Sequence, residues 1–163
     1  MAEIVLCRVD SRLVHGQVMT KWVRQADANE IIIVSDTVSK DQFLLEIYKM
    51  SAPPGVEILC YGAEETVERW KEGTLLKGRV LLLFADIDTL HRVCSQGVEV
   101  KEVQVGGLGG GPDRKVVYQN ITLNEKDAGL LKELADKGTT VIFQTIPEDR
   151  PLPLTEALER LGK

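Results

Sequence analysis

The sequence is poor in features that mark several whole classes of protein. Its 163 residues hold three cysteines, Cys7, Cys60 and Cys94, which stand far apart without zinc-ligand or redox spacing. Two fall in expected buried strands and one in an expected helix, where a free thiol behaves as a small hydrophobe; a structural disulfide is not expected. No apolar run approaches the roughly 20 residues that span a bilayer. The N-terminus lacks the basic, apolar and small-residue order of a signal peptide. A cytoplasmic location is therefore expected, with any membrane association made through a partner. Positive charge is in deficit, with 20 Lys and Arg against 25 Asp and Glu and a net charge of −5. That balance argues against a general nucleic-acid binder. Nucleotide-loop signatures are missing too: no G-x-x-x-x-G-K-[ST] occurs, and G-x-G-x-x-G fails at Pro112. Histidine is scarce, with only His15 and His91.

What is present is a regular succession of apolar runs and amphipathic stretches. A hydrophobic content of 44% with 28% charged residues suits a globular chain, and the length suits one domain over residues 1–163. Residues 4–7, 31–34, 56–61, 79–84, 102–105 and 140–145 read as strands, several of them apolar enough for burial on both sheet faces. Helices are expected over 16–25, over 64–71, from an Asp86 cap to Gly97, and from Asn124 to near Asp136. Another should start at a Ser39–Gln42 capping box and run to Met50 with Phe43, Leu44, Ile47 and Tyr48 inward. Residues 116–123 read as an extended edge segment and 155–161 as a short final helix. Trp22 and Trp70 read as core or core margin. The β-α alternation implies an α/β fold, a three-layer α/β/α domain with a mostly parallel open sheet of about six strands. That pattern alone reveals no function.

The chemistry concentrates in Arg8-Val9-Asp10-Ser11-Arg12-Leu13-Val14-His15-Gly16-Gln17, expected to be the loop between the first strand and first helix. It would lie at the carboxyl edge of the sheet, where open α/β sheets bind ligands. Arginine forks match phosphate oxygens and a helix start favours anions. A lone imidazole close to two arginines is badly placed for a metal and well placed to carry a phosphoryl group, whose charge of about −2 the arginines neutralise. His15 is thus the candidate nucleophile. Arg8, Arg12 and the backbone N–H groups around Gly16 and Gln17 are candidates for phosphate binding, and Asp10 for holding an arginine or the imidazole tautomer. No metal or other cofactor is required. Asp36, at the end of the second strand, either pairs with Arg12 or Arg8 or caps a turn. The glycine-rich run 106–111 is either a mobile loop on the same rim or a plain connector. His91 sits inside a helix and reads as a surface residue.

The decapeptide with Val18 resembles the active-site loop R-(I/V)-D-x-R-L-(I/V)-H-G-Q-V of the enzyme IIB subunits of the mannose/fructose/sorbose class of the bacterial sugar phosphotransferase system. The likeness extends to the acidic turn at Asp36, the V-G-G at Val105 to Gly107, and the last strand with Gln144 and Pro147. Ser11 stands where the family often has an acid, and Gln104 where it commonly has asparagine. The resemblance implies a phosphotransferase that accepts a phosphoryl group on His15 from a phosphohistidine of enzyme IIA. The acceptor it implies is a hexose held by the membrane subunits IIC and IID. It also implies that Gly106 and Gly107 lie near the phosphoryl group, and it is compatible with a homodimer. Two other classes stay open from the residues themselves. One is a nucleotide-binding module, which would need a glycine-rich loop where only Gly16 stands. The other is a noncatalytic interaction protein in which Arg8, Arg12 and His15 are solvated loop residues.

Overall fold

A computed structural model describes residues 2–162; the expected domain limits, 1 and 163, lie outside the described residues. The chain runs β1 (Glu3–Asp10), α1 (Gly16–Ala26), β2 (Glu30–Val34), the single turn α2 (Asp36–Ser39), α3 (Gln42–Met50), β3 (Glu57–Tyr61), α4 (Ala63–Glu72) and β4 (Arg79–Phe84). It continues through α5 (Ile87–Ser95), β5 (Glu102–Gly107), β6 (Lys115–Tyr118), β7 (Ile121–Leu123), α6 (Glu125–Asp136), β8 (Thr140–Phe143), β9 (Leu152–Pro153) and α7 (Leu154–Leu161). The main sheet has seven strands in the order β3-β2-β4-β1-β5-β8-β9. All are parallel to their neighbours except β9, which pairs antiparallel with β8.

Side chains of a strand alternate between the sheet faces, and here that alternation sorts two cores. Cys7, Val9, Ile32, Val34, Leu82, Phe84, Val103, Val105, Val141 and Phe143 face α4, α5, α6, α7 and the β6–β7 hairpin. Ile31, Ile33, Leu81 and Leu83 face α1, α2 and α3 through Met19, Trp22, Val23, Val38 and Leu45. After β1 the chain turns toward β2, and after β4 it turns the other way toward β5. The chain after β5 also turns away, toward β8, so the carboxyl ends of adjacent β1 and β5 flank the point where strand order reverses, the usual crevice for a ligand in such sheets.

Three expectations are corrected. Residues 116–123 are extended, as expected, but form an antiparallel hairpin outside the seven-stranded sheet, bonded to the end of β5 through Leu108. Gln119 takes positive φ at its turn, and Ile121 and Leu123 close over the core. The start of α3 is two residues later than the Ser39 box implies. Ser35 caps the intervening α2 by accepting from the Val38 N–H, and Asp41 caps α3 by accepting from the Leu44 N–H. The inward face of α3 is also shifted: Leu44 and Tyr48 pack against the core as expected, but the buried residue is Leu45, and Phe43 (78% exposed) and Ile47 face outward. A run of apolar residues over 43–50 carries too weak a period to choose its own face, and the tilt of the helix on β2 and β3 decides it. Elsewhere Asp86 and Asn124 cap their helices as expected.

Chemical denaturation checks the α3 assignment. Leu45→Ala should lose about 2 kcal/mol or more of stability, as buried leucine truncations do. Phe43→Ser should stay within about 0.5 kcal/mol of the parent, as expected of a surface position.

Candidate functional site

Arg8 and Asp10 are not loop residues. β1 continues to Asp10, and Arg8 pairs across the sheet with Leu83 on one side and Gln104 on the other. Because Val9 faces the large core, Arg8 and Asp10 face the opposite side, and both side chains are fully buried (0% exposed). Both terminal nitrogens of the guanidinium are held, while the buried Nε has no hydrogen-bond partner. Nη1 donates to Gln104 Oε1 and to the Gln144 carbonyl at 3.0 Å. Nη2 donates to the Thr145 carbonyl at 2.9 Å and to Asp10 Oδ2 at 3.2 Å. The Trp22 ring lies 5.4 Å from the guanidinium carbon, and the indole N–H donates to the same Thr145 carbonyl. Burial pulls Arg8 down to about 10, with Asp10 acting the other way, so the group is still charged at neutral pH. Every terminal nitrogen of Arg8 is thus spent on the protein. Its expected place as a direct phosphate ligand is corrected: it braces the site from below.

Asp10 is the hub. Oδ2 meets His15 Nε2 at 2.9 Å as well as Arg8, and Oδ1 accepts from the Arg12 backbone N–H at 3.0 Å, with Arg12 Nε at 3.5 Å. A carboxylate only accepts, so Nε2 carries the hydrogen of the neutral ring and Nδ1 the lone pair. His15 is the N-cap of α1, in extended conformation and without a side-chain cap bond, and its ring is 20% exposed. Nδ1 has no hydrogen-bond partner among the described residues. The first N–H groups of a helix have no intrahelical acceptor, so Gly16 and Gln17 present theirs, beside His15, to solvent. Gly16 takes φ +47° there, a conformation open to glycine at low cost.

The loop that delivers His15 is pinned at both ends. The Ser11 N–H bonds the Gly107 carbonyl, the Leu13 N–H closes a turn on the Asp10 carbonyl, and Leu13 and Val14 are buried against the α1 core. Leu13 holds a positive φ of 57°, strain that its anchored neighbours maintain. The Arg12 side chain, by contrast, is 50% exposed and keeps most of its fork free.

Other candidates fall elsewhere. Asp36 pairs with Arg92 at 2.8 Å and accepts from the Ala63 N–H at 2.9 Å, so the expected pairing with Arg8 or Arg12 is corrected in favour of a capping role. The Ala63 N–H, and after it the Arg92 guanidinium, holds this carboxyl below its ordinary value. Gly106 and Gly107 are buried strand residues of β5, not part of a loop. A Cβ on Gly106 would overlap the Arg8 guanidinium, and one on Gly107 would come within 3.1 Å of Asp10 Oδ1. Their lack of side chains makes room for the ion pair. Only Gly109 to Gly111 remain exposed, and Arg114 ties that stretch down through Thr122, which also bonds the Gly109 carbonyl. His91 lies on α5 and meets Glu133 of α6 at 3.2 Å, an acidic partner that sequence spacing did not offer. Burial pushes the Cys7 thiol well above its ordinary value, and the Cys60 and Cys94 thiols up to about 11.

Gln104, Gln144, Thr145 and Trp22 were absent from the sequence-based candidates, yet they surround Arg8. A signal existed for the first of them. In Val103-Gln104-Val105 a polar residue alternates with buried valines, which marks a strand face that is not plain core.

Residues 4–163 match the family described as the PTS system sorbose subfamily IIB component. The fold matches the crystal structure of manxB from Thermoanaerobacter tengcongensis with a TM-score of 0.91 and 37% identity, covering 96% of this chain and 95% of that one. The fructose-specific EIIB component of Bacillus subtilis is 26% identical over 163 residues, the full length of both. The mannose-specific EIIAB component of Escherichia coli is 29% identical over 160 residues, 98% of this chain, and the chain spans half the length of that relative.

Replacing the buried fork separates the two arginines in urea unfolding. Arg8→Lys, whose ammonium cannot reach the four acceptors of Arg8 together, should cost about 3 kcal/mol or more. Arg12→Lys, on the surface, should stay within about 0.5 kcal/mol.

Proposed function

The chain belongs to the sorbose subfamily of IIB components of the sugar phosphotransferase system, and from that premise we propose that it relays a phosphoryl group on His15 Nδ1. The donor is the phosphohistidine of an enzyme IIA, and the acceptor is a hexose bound by the membrane subunits IIC and IID. The single observation that carries this reading is the contact of His15 Nε2 with the buried Asp10 carboxylate, at 2.9 Å. It leaves the lone pair of Nδ1 outward beside the first turn of α1.

In the first half-reaction, Nδ1 attacks the phosphorus of the donor phosphoramidate. A new P–N bond forms as the donor's breaks, and the proton needed by the departing imidazole comes from the donor's side of the encounter. The His15 ring gains positive charge as it attacks, and Asp10 stabilises that charge through Nε2–H, as an orienting carboxylate does. The transferring group passes through a loose transition state whose oxygens need charge stabilisation more than covalent help. The exposed Arg12 fork and the N–H groups of Gly16 and Gln17 supply it. In the second half-reaction the sugar hydroxyl oxygen attacks phosphorus as the P–N bond breaks, the bonding pair returns to Nδ1 of a ring that is neutral again, and the hydroxyl proton passes to water or a base on the acceptor side, matching the proton taken up by the donor's imidazole.

Among the described residues no helix is long and apolar enough to cross a membrane. The proposed setting is cytoplasmic, with contact to the bilayer made through IIC and IID in brief encounters guided by charge. The whole chain acts as one IIB domain in this reading.

Incubation with labelled phosphoenolpyruvate, the general phosphotransferase proteins and a IIA partner tests the proposal. One acid-labile, base-stable phosphoryl group should appear on His15. His15→Ala should abolish it and His91→Ala should leave it intact; label retained in the first variant or lost in the second overturns the assignment. Arg12→Ala should slow transfer on the order of 10²-fold, and Arg12→Lys should recover only part of the loss because an ammonium lacks the fork.

A further inference from the structure

The proposed nucleophile depends on Asp10, Asp10 shares one oxygen between His15 and Arg8, and the aim of Arg8 is set by residues that touch neither the ring nor the incoming group. We infer that Gln104 and Gly106 are positioning residues for His15. They build the slot that points the Arg8 fork at Asp10, and Asp10 in turn holds the imidazole with Nδ1 outward. This inference rests on the reading of His15 as the phosphoryl acceptor.

Strand register places the parts. Arg8 and Gln104 are cross-strand partners on β1 and β5. The two-residue repeat of a strand puts Gln104 and Gly106 on one face, the face toward which Arg8 points between Val9 and Cys7 of the opposite core. At Gly106 the volume of a side chain is occupied by the guanidinium itself. At Gln104 the amide oxygen takes Nη1, which with the Gln144 carbonyl fixes one arm of the fork and leaves Nη2 to the Thr145 carbonyl and Asp10. The guanidinium is planar and rigid, so fixing one arm fixes the other.

The chemistry of residue 104 matters as much as its reach. The buried cluster already holds one cation and one anion, Arg8 and Asp10, both wholly removed from solvent. A second carboxylate at 104 would compete with Asp10 for the same cation and leave net negative charge in the interior, which is costly. An aliphatic side chain would leave Nη1 with a single acceptor and hold the fork less firmly. A neutral amide oxygen anchors the arginine without drawing it from Asp10.

The test reads the His15 ring directly. In protein labelled with 15N-histidine, exchange of the His15 Nε2–H with water is followed by NMR in the parent, Gln104→Met and Gln104→Asn. Leu131→Ala, in the core on the other face of the sheet, serves as a control that loses stability without touching the slot. Loss of a buried hydrogen bond to a charged group should accelerate exchange roughly tenfold or more in Gln104→Met. Gln104→Asn, which keeps the amide one methylene short, should fall between, and Leu131→Ala should match the parent. The phosphorylation rate of His15 should fall in the same order. Gly106→Ala should accelerate exchange at least as much as Gln104→Met; if that variant does not fold, the Gln104 pair decides. Parent-like exchange in Gln104→Met, or equal acceleration in Leu131→Ala, overturns the inference. Should the parent itself take no phosphoryl group, it is the reading of His15 that fails, and the exchange comparison still decides the role of Gln104.

Discussion

An arginine and an aspartate buried side by side in the central strand of a parallel sheet are the constraint to which the rest of this site conforms. Taking such a pair out of water costs several kcal/mol per ion before any attraction is counted. The interior must therefore offer hydrogen bonds for nearly every polar atom the two groups present. Here two backbone carbonyls at the end of β8, an amide oxygen from β5 and a backbone N–H from the next loop do so. The glycines at 106 and 107 leave space for the two side chains. The carbonyls of Gln144 and Thr145 point inward, and Gln144 in turn donates from its own amide to the Pro147 and Asp149 carbonyls. The irregular stretch after β8 is thereby folded back over the site. One ion pair thus ties together the ends of β1, β5 and β8.

That arrangement also explains why the two faces of one sheet look so different. The face under α4 to α7 is a continuous apolar core, as strands buried on both sides require. The other face is apolar only under α1 and α3, and becomes polar from β1 toward β8, where Arg8, Asp10 and Gln104 replace aliphatic residues. Burial without apolarity is tolerated there because most of the polar atoms satisfy one another, with Arg8 Nε and the Thr145 hydroxyl left as exceptions. The result is a rigid floor at the carboxyl edge, on which a strained, anchored loop presents a single imidazole. Rigidity suits the proposed phosphoryl relay, since such transfer depends on positioning and on charge already in place. The same floor gives the two arginines different roles. The one in the strand is spent on structure, and the one in the loop stays free.

Much of this was legible in the amino-acid sequence. Apolar runs of strand length, separated by capped amphipathic stretches, determined the α/β class, the parallel sheet and most element positions, because burial on both faces and helix capping are local demands written in consecutive residues. Arg8 to Gln17 determined the family resemblance and put His15, rather than His91, forward as the candidate nucleophile. Tertiary structure alone decided the rest. Whether β1 stops at Cys7 or runs on to Asp10 depends on neighbours in β4 and β5 that lie 75 to 97 residues away in the chain, so an arginine that reads as a loop ligand becomes a buried brace. Asp36 found Arg92, and the apolar residues of α3 chose a face, only once helices were laid on the sheet. Gln144 and Thr145 could not be assigned from their own surroundings, and those of Gln104 marked only a polar strand face. What they do is defined by the guanidinium they surround, and hydrogen bonds between distant strands leave no period in the sequence.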